Sequence, residues 1–315
     1  MQTIYLAGGC FWGIEKLMQS VPGVVKTVSG YANGDPAITP TYELVSTGKT
    51  GYRETVKVVY DPDNISLAGI LSVFFRAVDP TVRNRQGNDC GSQYQTGIYF
   101  TDPVSERIVR QAAAVEQRRN PAFHVEIQSL RVFHPAEEYH QNYLEIHPDG
   151  YCHISPAAFA LAKQLRIDPG KYPRPGNAEI RRRLRPQEYA VTQDGATDPP
   201  GFHPLTKEMR RGIYVDVVTG EPLFTSADKY LSTCGWPAFS AAVDPNVIIT
   251  RDDNSHGMYR TEIRSRSGDS HLGHVFSGDT ASPTGIRFCV NGSALRFVPY
   301  EEMDAAGYGY LKDTV

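Results

Sequence analysis

Hydrophobic positions in the first half of the chain follow two alternating periods. TIYLA at 3–7 and TGIYF at 96–100 are compact apolar runs that predict buried strands, and ETVKVVY at 54–60 alternates with period two. WGIEKLMQS at 12–20 and LAGILSVFFRAV at 67–78 have the three-to-four spacing of helices, and Pro22-Gly23 closes the first of them. The pattern continues with a helix from Pro103 to Arg119, opened by its proline, a strand near VEIQSL (125–130) and a helix around AEEYHQNYLEI (136–146). This order predicts an α/β or α+β layered domain, a mixed sheet with helices, over residues 1–166.

The pattern then changes. Residues 167–176 hold three prolines and two glycines in ten positions, which neither helix nor strand can continue, so a semi-rigid linker is expected over 167–177. Beyond it, a short helical lead-in gives way to brief β-branched and aromatic runs: GIYVDVV, EPLFT, NVIIT, MYRTEI, HLGHVF, GIRFCV and ALRFV. These predict a mainly antiparallel β domain over 178–315, sandwich or barrel-like.

At 315 residues the length suits two domains with a core each. No stretch approaches the roughly 20 apolar residues that span a bilayer, so no membrane role is expected. The 32 Lys+Arg against 35 Asp+Glu give a formal charge of -3, and the single basic run, RRRLR at 181–185, reads as a solvated face, so nucleic acid is not an expected partner. MQTIYLAGG lacks the features of a secretory signal and reads at once as a strand, which points to a cytoplasmic protein. Cys10, Cys90, Cys152, Cys234 and Cys289 form an odd set with no C-x-x-C pair, unlike a disulfide scaffold or a four-cysteine zinc knuckle.

Cys10 lies in GGCFWG, between the first strand and the first helix. A thiol at a helix N-terminus has its pKa lowered from about 8.5 toward roughly 3.5–7.5, so Cys10 is expected to be reactive; the bland alternative is a packing cysteine. Phe11 and Trp12 beside it could be ordinary core or the walls of a pocket for a small apolar group.

GGCFWG, PTYE (40–43), TGYRE (50–54) and QGNDCGSQY (86–94) together resemble peptide-methionine sulfoxide reductase A, over residues 3–155. The resemblance implies that Cys10 is the nucleophile attacking the sulfoxide sulfur, that Glu54, Tyr42 and Tyr94 surround the sulfoxide oxygen, that Asp89 supports the site, and that Phe11 and Trp12 hold the methyl group. Chemically, the oxygen leaves only when protonated, so Glu54 has to be desolvated enough to stay neutral. Tyr52 stands where the family usually has His. The sulfenic acid left on Cys10 needs a second thiol; Cys152 resembles the family's resolving cysteine, with Cys90 as a backup.

VTQ (191–193), GEPLF (220–224), CGWPAF (234–239), SHGMYRTEIRSRSGDSHLGHVF (255–276) and GIRFCVN (285–291) resemble methionine sulfoxide reductase B, over about residues 178–310. By that resemblance Cys289 is the nucleophile and Cys234 its resolving partner, His271, His274 and Asn291 organise and protonate the oxygen, with His274 first, and Trp236 lines the methyl pocket. Arg287, two residues from Cys289 on the same strand face, is the expected activator of the thiol. The two families act on the S and R epimers respectively. Many B domains hold zinc in two C-x-x-C pairs; the matching positions here are Asp216, Thr219, Ser265 and Gly268, which offer no thiolate, so no metal is expected. Asp279 is displaced by one position from the family's pattern.

The implied function is a bifunctional reductase of methionine S- and R-sulfoxide in oxidised proteins, without a bound cofactor, its disulfides recycled by thioredoxin or dithiothreitol. Two alternatives stay open: a catalytic first half with the second surviving as an interaction scaffold, and a Cys/Glu/His acyl-transfer site around Cys10, which would need a histidine paired with Cys10.

Overall fold

Eight strands of the first half are β1 (Gln2–Ala7), β2 (Val24–Ala32), β3 (Arg53–Tyr60), β4 (Arg85–Gln86), β5 (Asp89–Cys90), β6 (Gly97–Phe100), β7 (Glu126–Ser129) and β8 (Phe133–Pro135). Six of them build a sheet in the order β7-β6-β1-β3-β2-β8, antiparallel except for β6 with β7, while β4 and β5 pair as a separate hairpin. The computed structural model describes residues 1–315, the side chain of His256 apart, and forms two compact units, Met1–Gly170 and Lys171–Val315. The mixed sheet with helices and the antiparallel second half agree with the sequence expectation.

The period-two pattern of β3 decides the placement of the core. Val56, Val58 and Tyr60 share the buried face, and Glu54 continues that face two residues earlier, so an acid sits where the pattern calls for an apolar side chain. Helices α1 (Phe11–Gln19) and α3 (Leu67–Ala77) cover this face, giving a core that includes Ile4, Leu6, Ile14, Leu17, Ile70 and Phe74. Each such side chain contributes about 1.5–3 kcal/mol of burial free energy. Helix α4 (Pro103–Arg119), with Asp102 accepting from the backbone N–H groups of Val104 and Ser105, packs on α3.

Three elements carry no clean period: β2, in which Lys26, Thr27 and Ser29 interrupt the apolar run, the short α2 (Tyr42–Ser46) and β8. The helix expected over 136–146 is broken. A single 3-10 turn, Glu138–His140, is followed by extended Gln141, left-handed Asn142 at φ 53 and the short α5 (Tyr143–Ile146). Hydrogen bonds hold the break: the Gln141 side-chain Nε2 donates to Ser29 O and Ala136 O, and the Asn142 N–H donates to Glu15 at 2.8 Å. Helix α6 (Pro156–Lys163) completes the unit.

The second unit opens with α7 (Asn177–Arg183) and α8 (Pro186–Asp194). Within the RRRLR run, Arg183 pairs with Glu179 and Arg185 with Glu188, the solvated arrangement expected of it. Nine strands follow: β9 (Gly212–Asp216), β10 (Pro222–Thr225), β11 (Lys229–Tyr230), β12 (Ala238–Phe239), β13 (Ile248–Asp253), β14 (Arg260–Ser265), β15 (His271–Ser277), β16 (Ile286–Val290) and β17 (Leu295–Pro299). They form an antiparallel three-stranded sheet, β10-β9-β17, and a six-stranded one, β11-β12-β16-β15-β14-β13. Aromatic rings join the sheets: Phe224 of the smaller stacks on Phe239 of the larger at 4.4 Å between centroids, and Tyr214 meets the same ring edge-on at 4.9 Å.

Candidate functional site

Cys10 occupies the N-cap of α1, delivered by a turn whose Gly9 adopts φ +86, a conformation open to glycine. The turn packs closely, since a Cβ on Gly9 would lie 2.6 Å from the side chain of Gln86. Beside the thiol, the N–H of Phe11 donates to Glu54 Oε2 at 3.0 Å, which leaves the other carboxyl oxygen to carry a proton. Glu54 is 2 % exposed. Burial pushes its pKa up to about 8, the Phe11 N–H opposes the shift, and the nearby Asp89 charge reinforces it. Glu54 is therefore predominantly neutral at pH 7.

The thiol departs from expectation. Burial and the Glu54 charge hold the Cys10 pKa well above the usual thiol range, outweighing the N–H groups of Trp12 and Gly13 that pull it down. At this site desolvation defeats the helix N-terminus. The resting pair is a thiol and a carboxylic acid, and the hydroxyls of Tyr42 and Tyr94, raised chiefly by burial with the Glu54 charge second, stay protonated donors around it.

Several residues come to the site that motif reasoning passed over. His140 is 2 % exposed, packs its ring against Phe11 and Tyr42 at 5.2 and 4.4 Å, and its Nδ1 accepts the indole N–H of Trp12 at 3.2 Å. Tyr143 stacks on the Trp12 ring at 3.7 Å and 12°. Glu137 accepts from Tyr31 Oη at 2.8 Å and from the Tyr42 N–H at 2.9 Å, anchoring the tyrosine's helix. His153 approaches the Gly8–Cys10 turn, but its Nε2 contacts Gly8 O at 2.8 Å. Neither histidine pairs with Cys10, which removes the geometry an acyl-transfer site needs. Their signal in the sequence was the aromatic and histidine density of 139–153. Tyr52, by contrast, is core: its hydroxyl donates to Ile38 O at 3.2 Å.

The segment carrying Cys152 lies against the same turn. A Cβ on Gly13 would meet Cys152 Sγ at 3.2 Å, and the flanking Tyr151 hydroxyl donates to Asp89 at 3.2 Å. Cys152 is half-buried and Cys90, on β5, is exposed.

In the second unit, the register sets His274 of β15 directly across from Cys289 of β16. The close approach depends on Gly273, at φ +145, where a Cβ would sit 2.1 Å from Cys289 O. Cys289 Sγ donates to Cys234 Sγ at 3.4 Å. Sharing one proton dominates both thiols: donation from Cys289 brings Cys234 down to about 5, and the same bond pushes Cys289 up. Arg287 lowers both, but as the smallest contribution named for either, so the activator expected from the strand pattern is secondary to the neighbouring thiol. Arg287 is aimed by Asp279 at 3.1 Å, which also accepts from Tyr230 Oη at 3.1 Å, so the displaced acid keeps a place in the loop.

Both histidines are backed by carboxylates, His271 Nδ1 by Glu262 at 2.6 Å and His274 Nε2 by Asp253 at 2.7 Å. Burial lowers the His274 pKa while Asp253 works against the shift. Asn291 is occupied structurally: its Oδ1 accepts from the Asp198 N–H at 2.9 Å and its Nδ2 donates to Leu272 O at 3.2 Å. Trp236 is fixed by its indole N–H donating to Asp198 O at 2.9 Å.

Asp216, Thr219, Ser265 and Gly268 do converge, although not as a metal site. Fully buried Asp216 accepts from Val218 N, Thr219 Oγ1, Ser265 Oγ and Ser270 Oγ at 2.9–3.0 Å, and a Cβ on Gly268 would overlap its Oδ2 at 2.1 Å. Three hydroxyls and a backbone N–H already occupy the Asp216 carboxylate and no thiolate is present, so the residues do not fit a tetrahedral zinc.

Comparison with known proteins follows the same division. The family described as peptide methionine sulfoxide reductase matches residues 2–167, and the SelR domain matches residues 184–299. Among solved structures, reduced Mxr1 of Saccharomyces cerevisiae is similar at 33% identity over 49% of this chain and 91% of its own, with a TM-score of 0.47. Methionine sulfoxide reductase A of Corynebacterium diphtheriae is similar at 38% identity over 48% of this chain and 77% of its own, with a TM-score of 0.45.

Proposed function

The chain belongs to the peptide methionine sulfoxide reductase family, with a SelR domain following that match, and we propose that each unit works through a cysteine sulfenic acid and an intra-unit disulfide recycled by thioredoxin. It is an oxidoreductase of methionine sulfoxide, acting on the S epimer in the first unit and the R epimer in the second. The observation that carries the mechanism is Glu54, buried and held neutral beside Cys10.

At the first site Cys10 Sγ attacks the sulfoxide sulfur as Glu54 gives its proton to the oxygen and the Tyr42 and Tyr94 hydroxyls donate to it. The oxygen passes to Cys10, the thioether leaves, and the thiol proton restores Glu54. Cys152 then attacks the sulfenic acid, releasing water and leaving a disulfide for an external dithiol. Phe11 and Trp12 hold the methyl group. The second site repeats the sequence with Cys289, Cys234 and His274, with Asp253 orienting the imidazole and Trp236 lining the pocket. Substrates are oxidised proteins. The scaffold reading of the second unit is disfavoured by the 3.4 Å thiol pair opposite His274.

Oxidation of the reduced protein with one equivalent of each epimer, followed by peptide mapping, should give Cys10–Cys152 and Cys234–Cys289 disulfides. A Cys10–Cys90 bridge would reassign the resolving role. Asp253→Asn should lower R-epimer turnover and leave S-epimer turnover at its wild-type value, as paired assays check.

No structural metal enters this account, because the Asp216 cluster ties the same two turns by hydrogen bonds. Asp216→Ala strands three buried donors and the half-buried Thr219 hydroxyl, and should destabilise the second unit by at least about 3 kcal/mol in denaturant unfolding. A chelator should leave wild-type unfolding unchanged.

A further inference from the structure

Resting on the reductase reading, we infer that Glu15 is a positioning residue of the first site, breaking the 136–146 helix so that His140, on the indole N–H, and Tyr143, stacked on the ring, clamp Trp12. Glu15 is 2 % exposed, pairs with no cation among the described residues, and has no part in the chemistry above. An uncompensated buried acid is costly, and here burial raises its pKa. Its hydrogen bonds indicate what the cost secures. Oε2 accepts the N–H of Asn142 at 2.8 Å, and Oε1 accepts from Thr27 Oγ1 at 3.3 Å.

Asn142 is the pivot of the break. In a continuous helix its N–H would donate to the carbonyl four residues back, and AEEYHQNYLEI has the composition to form one. Glu15 takes that N–H instead, at a residue whose left-handed φ of 53 asparagine tolerates better than most. Other residues on the same face of α1 assist. Lys16 Nζ donates to Leu144 O at 2.9 Å and Gln19 Nε2 donates to Asn142 Oδ1 at 2.8 Å. Trp12, Glu15, Lys16 and Gln19 stand at i, i+3, i+4 and i+7, one stripe of the helix that begins at Cys10. The helix that presents the nucleophile thus also grips the segment that shapes its pocket.

On an unbroken helix, residues 140 and 143 would lie side by side on one face. With the break, His140 takes the Trp12 indole N–H and Tyr143 stacks on the ring. Trp12 is a methyl-pocket wall, so a loosened clamp should act on substrate fit and not on proton transfer.

The test uses full-length protein. Glu15→Ala should raise KM for the S sulfoxide about tenfold or more, with single-turnover kcat changed far less, and should narrow the preference for methyl over ethyl sulfoxides, which one methylene sets at roughly 10–200-fold. Glu15→Gln, whose amide oxygen can still accept from Asn142, should restore wild-type values. In a Trp236→Phe background Trp12 is the one remaining tryptophan, and its near-UV circular dichroism should weaken on Glu15→Ala. If Glu15→Ala fails to fold, exposed Asn142 supplies the test: Asn142→Ala, disfavouring the left-handed pivot, should reproduce the KM and selectivity changes, while Asn142→Gly should not. Unchanged KM, selectivity and Trp12 signal in folded variants would overturn the inference; a purely structural role would lower the active fraction alone. Absence of S-epimer turnover in the wild type would sink the reductase reading instead, leaving the Trp12 signal to judge the clamp.

Discussion

Glu54→Gln should lower S-epimer turnover by about 10² to 10⁴-fold, the range a lost general acid commands, while R-epimer turnover stays at its wild-type value. Gln keeps an oxygen for the Phe11 N–H, so the turn carrying Cys10 should persist and the loss should fall on the proton alone. The same carboxyl sets a pH limit. With its pKa pushed up to about 8, the acid is present at neutral pH and lost above it, so S-epimer kcat should decline as pH rises through about 8. The stability consequence has the same sign. A carboxyl whose folded pKa exceeds its unfolded value favours the native state fully only below the unfolded value near 4.3, and that contribution disappears as pH rises toward about 8. Glu54→Gln should therefore stabilise the first unit relative to wild type, by an amount that grows between about pH 4.5 and pH 8 in thermal melts. A fully active Glu54→Gln protein would remove the acid from the mechanism.

Cys234→Ser should reduce one equivalent of R sulfoxide and then stop. Cys289 retains its own attack, but its sulfenic acid loses the sulfur that lies 3.4 Å away in the resting enzyme. Sustained turnover with thioredoxin would show that another thiol resolves the intermediate. The shared proton gives a second reading of the same pair. With Cys234 brought down to about 5, limited alkylation at pH 6 should label Cys234 ahead of Cys289, whose thiol the partner holds up. In Cys234→Ser that hold is gone, and Cys289 should alkylate faster at pH 8 than it does in the wild type.

Where the hydrophobic period was clean, the elements could be read from the chain, as in β1, α1, β3, α3 and α4 and in the short strands of the second half. The helix expected over 136–146 failed for a reason no local pattern holds: Glu15, more than a hundred residues away, takes the Asn142 N–H that a helix would use, and the equally distant Ser29 holds the Gln141 side chain. His140 and Tyr143 escaped notice with it, because their places depend on that break. Cys10 stood out because a thiol at a strand-to-helix turn contradicts ordinary packing, whereas Glu54 was legible only through the family resemblance; its burial on the apolar face of β3 came from the structure. The Cys10 pKa went the other way because helix-end reasoning leaves out desolvation, which depends on how deeply α1 is buried. Likewise the strand pattern offered Arg287 to Cys289, but the larger influence is a thiol 55 residues earlier in the chain.

The most direct measurement is turnover of chirally pure S and R sulfoxides of a blocked methionine, with thioredoxin as reductant, in wild type, Cys10→Ser and Cys289→Ser. Two independent sites predict that Cys10→Ser loses only the S epimer and Cys289→Ser only the R epimer. R-epimer turnover that survives in Cys289→Ser, or loss of both epimers from a single substitution, would contradict the account.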